Sequence, residues 1–205
     1  MKKIEGGVTA AKGFQAAGCA AGIKKDGIMD MAMIFSEKPC HAAGTFTTNV
    51  VKAAPVKWDQ EIVYHQDGAQ VVVCNSGIAN ACTGEEGMGY CKETAEAAAR
   101  MLKVPETAVL VASTGVIGKQ LPMERIKGGI AKLALMLEDT SEAAALAARA
   151  IMTTDTHPKE TAVSLELDGK TVTIGGMCKG SGMIHPNMCT CLLYTSDAAD
   201  EARSV

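Results

Sequence analysis

The segment Lys179-Gly-Ser-Gly-Met-Ile-His-Pro-Asn-Met-Cys-Thr190 combines a glycine-relaxed turn, a proline and a threonine behind a small residue. No acid, base or metal-binding cluster accompanies that threonine in the sequence. A threonine hydroxyl becomes a nucleophile only when a nearby group takes its proton. Breaking the Cys189–Thr190 bond would create such a group. The freed α-amino nitrogen of Thr190 has a reference pKa of about 7.7–8.0, so a useful fraction is neutral near pH 7. The pattern has the look of a self-processing junction with Cys189 and Thr190 as the cleavage pair. Taken alone, however, a single threonine is more often an ordinary strand residue.

The junction closely resembles that of the ornithine acetyltransferase (glutamate N-acetyltransferase) family, with cysteine here in place of an alanine. Further blocks resemble that family in the same order along the chain: Gly6-Gly-Val-Thr-Ala-Ala-Lys-Gly-Phe14, Ala43-Gly-Thr-Phe-Thr-Thr-Asn49 and Lys52-Ala-Ala-Pro-Val56. They continue with Asn75-Ser-Gly-Ile-Ala-Asn-Ala-Cys-Thr-Gly84, Ser113-Thr-Gly-Val-Ile-Gly118 and Thr153-Thr-Asp-Thr-His-Pro-Lys-Glu160. The resemblance implies acetyl transfer from N2-acetyl-L-ornithine to L-glutamate in arginine biosynthesis, by a ping-pong route through an acetyl ester on Thr190. It implies Thr190 as nucleophile, Thr114 and Gly115 as oxyanion hole, and Thr153 and Lys179 as substrate contacts. An ammonium at Lys179 suits the carboxylate that both amino-acid substrates carry. Thr154 competes with Thr153 for its role, and Asn75, Asn80 and Asp155 are given none.

The resemblance implies no cofactor, leaving acetyl-CoA open as a co-substrate. It implies small amino-acid substrates and the protein's own β chain as partners, in an α2β2 heterotetramer of two α and two β chains. Two other readings stand beside it. One is a related self-cleaving aminopeptidase, which hydrolyses peptides, usually from a serine. The other is an inactive α-chain fragment that needs its β chain. Residues 1–205 alone are expected to be catalytically silent and prone to associate, because unpaired apolar faces and sheet edges drive aggregation.

Composition narrows the class. A chain of 205 residues fits one domain, large enough to bury roughly 70% of its unfolded surface. Apolar residues make up 47% and aromatics only 3%, so the core must be built from Ala, Val, Ile, Leu and Met. A net charge of −3 without a basic stripe argues against a nucleic-acid partner. No apolar stretch approaches the 18 or so residues of a membrane span, and the start lacks an export signal. A cytoplasmic location is expected. Of the eight cysteines, Cys19, Cys40, Cys74, Cys82, Cys91 and Cys178 are expected as buried, reduced thiols. The four histidines, His41, His65, His157 and His185, have no ligand spacing, and no metal is expected.

These residues need a frame. Met31–Phe35, Gly44–Thr48, Gln70–Cys74 and Ala108–Ala112 are expected as strands. Thr83 and Glu86 have capping-box spacing ahead of a helical stripe through Met88, Cys91, Ala95, Ala98 and Leu102, closed by Pro105. A second helix is expected after Pro122, in the first helical position, despite Gly128-Gly129. A third, alanine-rich helix follows the cap Asp139-Thr-Ser-Glu142 and reaches about Met152. Alternation at 163–167 and 172–174 around Asp168-Gly169 predicts a hairpin with a type I′ turn. Strands mixed with helices, and no Gly-x-Gly-x-x-Gly after a strand, indicate an α/β sandwich without a dinucleotide site. With the resemblance, the expected fold is α/β, a truncated self-processing layered sandwich of mixed sheets and helices of the ornithine acetyltransferase or DmpA-like kind. Residues 1–190 are expected to be its α-chain region. Cys191 to Glu201 back-translate to a sequencing-library transposon adapter, so 191–205 are expected to be a non-native tail.

Overall fold

Alternation along the strands decides which way each sheet faces. The computed structural model describes residues 1–25, 27–66 and 68–180 together with the backbone of 192–196. Its strands form two four-stranded sheets. The first contains β2 (Phe14–Cys19), β3 (Met31–Cys40), β4 (Ala69–Ile78) and β5 (Val109–Val116), in that order. Here β2, β3 and β4 are antiparallel, while β4 and β5 run parallel. The second is antiparallel throughout, in the order β1 (Lys2–Ile4), β6 (Lys159–Leu167), β7 (Lys170–Cys178) and β8 (Leu192–Ser196). This is the expected α/β arrangement of mixed sheets and helices.

One face of the first sheet carries Ala17, Cys19, Met31, Met33, Val71, Val73, Val109 and Val111. It packs on α1 (Ala54–His65), α2 (Gly84–Leu102) and α3 (Met123–Leu135). The alternate residues Ala16, Ala32, Ile34 and Cys74 face α4 (Ser141–Ala150), with Val8 and Met177 of β7 in the same cluster. Burying both faces of the first sheet is the main apolar stabilisation available to a chain with few aromatics. Small residues let the layers approach closely. A Cβ at Gly18 would overlap the Leu146 carbonyl of α4, and one at Gly129 would overlap Met31 Sδ. Gly129 thus trades helix propensity for close packing on β3, while Gly128 faces open space.

Several local expectations are corrected. Gly44–Thr48 is not a strand. The Asn49 N–H donates to Thr47 Oγ1 (3.1 Å) and the Val51 N–H to Asn49 Oδ1 (3.0 Å), local bonds that compete with a sheet ladder. α2 begins after Thr83, but no capping box forms. The Thr83 hydroxyl donates instead to Asn80 Oδ1 at 2.8 Å. Pro122 is the N-cap of α3 and not its first helical residue. Thr140 caps α4, its hydroxyl oxygen accepting the Ala143 N–H at 3.2 Å. The hairpin turns at Asp168 (φ 48°) and Gly169 (φ 77°), both left-handed as a type I′ turn requires. Cys19, Cys74 and Cys91 are buried and Cys40 and Cys178 half-buried, but Cys82 is exposed, with a left-handed φ of 56° at the loop before α2.

β5 lies at the edge of its sheet, and α1 covers that edge with side chains. Trp58 Nε1 donates to the Val109 carbonyl and the Val111 N–H donates to Asp59 Oδ1, each at 2.9 Å. Together they satisfy backbone groups that a further strand would otherwise pair. Burial pushes the Asp59 carboxyl up to about 7, against the Val111 hydrogen bond, which lowers it. A raised folded-state pKa means that Asp59 costs stability as pH rises from the unfolded value near 4 to about 7. Asp59→Asn keeps an acceptor for Val111. It is expected to match the parent at pH 4 and to exceed it at pH 8 by about 1–3 kcal/mol, in denaturant melts at the two pH values.

Candidate active site

The site is built where β4 and β5 stop being regular. Their parallel register runs from Val71↔Val109 to Gly77↔Gly115 and then slips, Thr114 pairing with both Ser76 and Ile78. Gly77 (φ 115°) and Gly115 (φ 133°) face each other across this bulge. Any Cβ at Gly115 would overlap the Gly77 carbonyl group, so the crossing is open to glycine alone. Gly115→Ala is expected to cost about 1–3 kcal/mol from backbone strain alone, measured as a lower denaturation midpoint.

Asn75 holds the bulge in shape. Its Nδ2 donates to the Ile78 carbonyl at 2.9 Å, and its Oδ1 accepts the Ser113 hydroxyl at 2.6 Å. Ser76, fully buried, donates its N–H to the Asp30 carbonyl (2.8 Å) and its hydroxyl to the Ala150 carbonyl (2.5 Å). These bonds fix the end of the first sheet to the end of α4. Asn80 is also fully buried. It donates to the Gly87 carbonyl (2.9 Å) and to Cys91 Sγ (3.3 Å), bracketing the start of α2.

A small cleft lies beside the bulge, lined by Cys74, Asn75, Ala112, Ser113, Thr114, Ile151 and Lys179. Thr114 and Lys179, far apart in sequence, therefore line the same cleft. The half-buried Thr114 hydroxyl has no hydrogen-bond partner among the described residues. The Lys179 ammonium donates to the Gly180 carbonyl at 2.7 Å. Thr153 and Thr154 are both exposed on the loop after α4, and neither lines the cleft. Thr153 is instead connected to Lys179 through Asp155, whose side chain is 1% exposed. Asp155 Oδ2 accepts the Thr153 N–H at 3.2 Å, while Oδ1 accepts Lys159 Nζ at 2.8 Å and the Gly180 N–H. Burial would raise this carboxyl, but the Lys159 ammonium and the two N–H groups outweigh it and hold its pKa at about 2.

Two site-building residues gave no sequence signal strong enough to single out, Asp30 and Lys24. The fully buried Asp30 carboxylate accepts the N–H groups of Ala21 and Ile23 (2.6 Å each) and Lys24 (3.0 Å), shaping the loop between β2 and β3. A buried acid between apolar strands, in Ile28-Met-Asp-Met31, was the available hint. Among the described residues no group of three His, Cys, Asp or Glu side chains could hold a metal ion. Cys189, Thr190 and His185 lie outside the described residues.

Residues 15–204 match the family model described as the ArgJ family. The chain belongs to the ArgJ family. It is 52% identical to the arginine biosynthesis bifunctional protein ArgJ of Symbiobacterium thermophilum, over all of this chain and 51% of that protein. It is 49% identical to the ArgJ protein of Thermosynechococcus vestitus, over 97% of this chain and 47% of that protein. The chain thus spans about half the length of the ArgJ relatives it matches. Among solved structures, ArgJ of Bacillus halodurans superposes with a TM-score of 0.86 at 45% identity, covering 90% of this chain and 96% of the solved one. The ornithine acetyltransferase of Mycobacterium tuberculosis complexed with ornithine gives 0.81 at 44% identity, covering 91% and 96%. The ArgJ match continues past Thr190, and the backbone of Leu192–Ser196 pairs with β7. Among the described residues, no helix of this ArgJ chain is long and apolar enough to cross a membrane.

Proposed function

We propose that the protein of which this chain forms part transfers an acetyl group from N2-acetyl-L-ornithine to L-glutamate, with Thr190 as the carrier. The observation that carries this reading is the cleft where Thr114 and Lys179 meet beside the Gly77–Gly115 crossing, in a chain of the ArgJ family. The ornithine bound to the Mycobacterium tuberculosis relative supports the substrate class.

In the first half-reaction the Thr190 hydroxyl attacks the acetyl carbonyl of acetylornithine, and its proton passes to the Thr190 α-amino group. The amide C–N bond then breaks, ornithine leaves with that proton on its amine, and the acetyl group stays on Thr190 as an ester. The second half-reaction reverses these steps with the glutamate amine as nucleophile. In both, the negative charge on the tetrahedral oxygen is met by the Thr114 hydroxyl and the Gly115 N–H, donors that are set in place beforehand by the bulge. Lys179 pairs with the α-carboxylate common to the two substrates, and Thr153 adds a second contact. Acetyl-CoA fits this scheme as a second acetyl donor, since the same ester would form from its thioester.

The α-amino base requires a chain that starts at Thr190, so cleavage of the Cys189–Thr190 bond precedes catalysis. The solved relatives support a two-chain form. A chain of Bacillus halodurans ArgJ is covered to 96% by a sequence that spans only about half of the other ArgJ relatives. The second half would be the β chain, assembled with this one as a cytoplasmic heterotetramer of two α and two β chains.

The test is a competition assay on the full-length protein with acetylornithine as donor and both glutamate and water as acceptors. Formation of acetylglutamate in step with released ornithine is expected. Acetate release indifferent to glutamate, or peptide hydrolysis without acetyl transfer, would overturn the assignment.

A further inference from the structure

We propose that Lys24 and Asp155 are positioning residues of this site. Between them they grip both ends of the Met152–Thr153 peptide group, and they tie it to the oxyanion strand on one side and to Lys179 on the other. This inference rests on the acetyl-transfer reading above.

The grip is made by two opposite charges on one peptide unit. Lys24 Nζ donates to the Met152 carbonyl at 2.5 Å, and the N–H of the same peptide, that of Thr153, donates to Asp155 Oδ2 at 3.2 Å. An ammonium on the oxygen and a carboxylate on the nitrogen match the peptide dipole, and hydrogen bonds to ionised groups are among the stronger ones. The peptide plane, and with it the start of Thr153, is therefore set from both sides. Thr153 is exposed and outside the cleft lining, and among the described residues these two bonds hold its backbone in register with the cleft.

Each of the two charges is itself anchored to another part of the site. The Lys24 backbone is fixed by Asp30, and its ammonium also donates to the Met29 carbonyl at 3.0 Å. Its stem passes over Gly77, where an added Cβ would lie 3.1 Å from Lys24 Cγ. Gly77 is the residue whose carbonyl abuts Gly115. Lys24 thus spans from the oxyanion bulge to the Thr153 loop. Asp155 spans the remaining gap, because its Oδ1 accepts the N–H of Gly180, the residue after Lys179. Lys159 supplies the charge that keeps this buried carboxylate ionised. The sequence Gly115, Gly77, Lys24, Met152–Thr153, Asp155, Gly180, Lys179 is an unbroken chain of contacts. It fixes the distance between the groups that hold the oxyanion and those that hold the substrate carboxylate. Neither Lys24 nor Asp155 lines the cleft, so both act through other residues.

The test uses Lys24→Met, which keeps the stem over Gly77, with Asp155→Ala and Asp155→Asn, all in the full-length protein and below the melting temperature of each. Thr153 and Lys179 hold substrate in the ground state and the transition state alike, so misplacing them should weaken both equally. Lys24→Met and Asp155→Ala are expected to raise KM for acetylornithine and for glutamate by about tenfold or more while kcat falls less. Asp155→Asn should lie between, since its amide oxygen still accepts one of the two N–H groups. Amide exchange at Thr153 and Gly180 should quicken in Asp155→Ala. Unchanged KM for either substrate in folded Asp155→Ala and Lys24→Met overturns the inference, as does unchanged exchange at both amides. A parent protein without acetyl transfer would defeat the functional reading instead, and the exchange comparison would still decide whether Asp155 holds the two peptides.

Discussion

Thr190→Ala in the full-length protein is expected to stay a single chain and to lose acetyl transfer by roughly 10⁴-fold or more. Both effects follow from one hydroxyl. Without Oγ there is nothing to attack the Cys189 carbonyl, so the bond persists and no terminal amine is released. Without Oγ there is also no atom to carry the acetyl group between the two half-reactions. Supplying the protein as two separate chains, the second starting with alanine, removes the need for cleavage and isolates the second role. Transfer should still be absent. Thr190→Ser retains a hydroxyl and should retain both reactions at reduced rates. Cleavage or transfer by Thr190→Ala at parental rates would mean that another group is the nucleophile.

Thr114→Ala is expected to lower kcat by roughly 10²–10³-fold, about 2.7–4 kcal/mol of barrier, with a much smaller change in KM. The physical ground is that Thr114 carries a hydroxyl with no partner among the described residues, at the end of a strand whose backbone is locked by the Gly77–Gly115 crossing. A donor held ready but unused in the ground state acts when charge develops. Because the hydroxyl makes no bond among the described residues, its removal should leave the melting temperature nearly unchanged, and a melt of the variant separates lost rate from unfolding. Thr114→Ser should recover most of the rate. An unchanged kcat with raised KM would move Thr114 into the substrate-binding class.

Much of this architecture is legible in the sequence because it obeys simple periodicities. The stripe through Cys91, Ala95 and Ala98 is buried as its spacing requires, and Asp168-Gly169 turns the hairpin through two left-handed residues. β2 was not legible, since after Phe14-Gln15 it runs through Ala16-Ala-Gly-Cys19, small residues with weak strand preference. It is held by its pairing with β3 from Phe14↔Ser36 to Cys19↔Met31, with Gly18 close under α4. α1 was missed for a similar reason. It buries only Ala54, Pro55 and Ile62, and it earns its place through Trp58 and Asp59 on the edge of β5. Thr83 shows the opposite failure, a correct spacing overridden by the fully buried Asn80 that takes its hydroxyl.

The site divides along the same line. Thr114, Gly115, Thr153 and Lys179 were named through motif resemblance, and the fold brings Thr114 and Lys179 to one cleft. Of the two residues proposed to set their spacing, Lys24 is distant in sequence and carries no motif of its own. Lys24 and Thr153 are joined only when the loop between β2 and β3 folds over the end of α4, which no local pattern records. Asp155 sits inside a recognisable block, but its value lies in a bond to Gly180, visible only in three dimensions.

The most direct measurement is the intact mass of the full-length product, taken before and after addition of N2-acetyl-L-ornithine and again after L-glutamate. The expected result is two chains, the second beginning at Thr190. That second chain should gain one acetyl group with acetylornithine and lose it when glutamate is added. A persistently single chain with full activity, or turnover in which no acetyl group ever appears on the chain that begins at Thr190, would contradict the account.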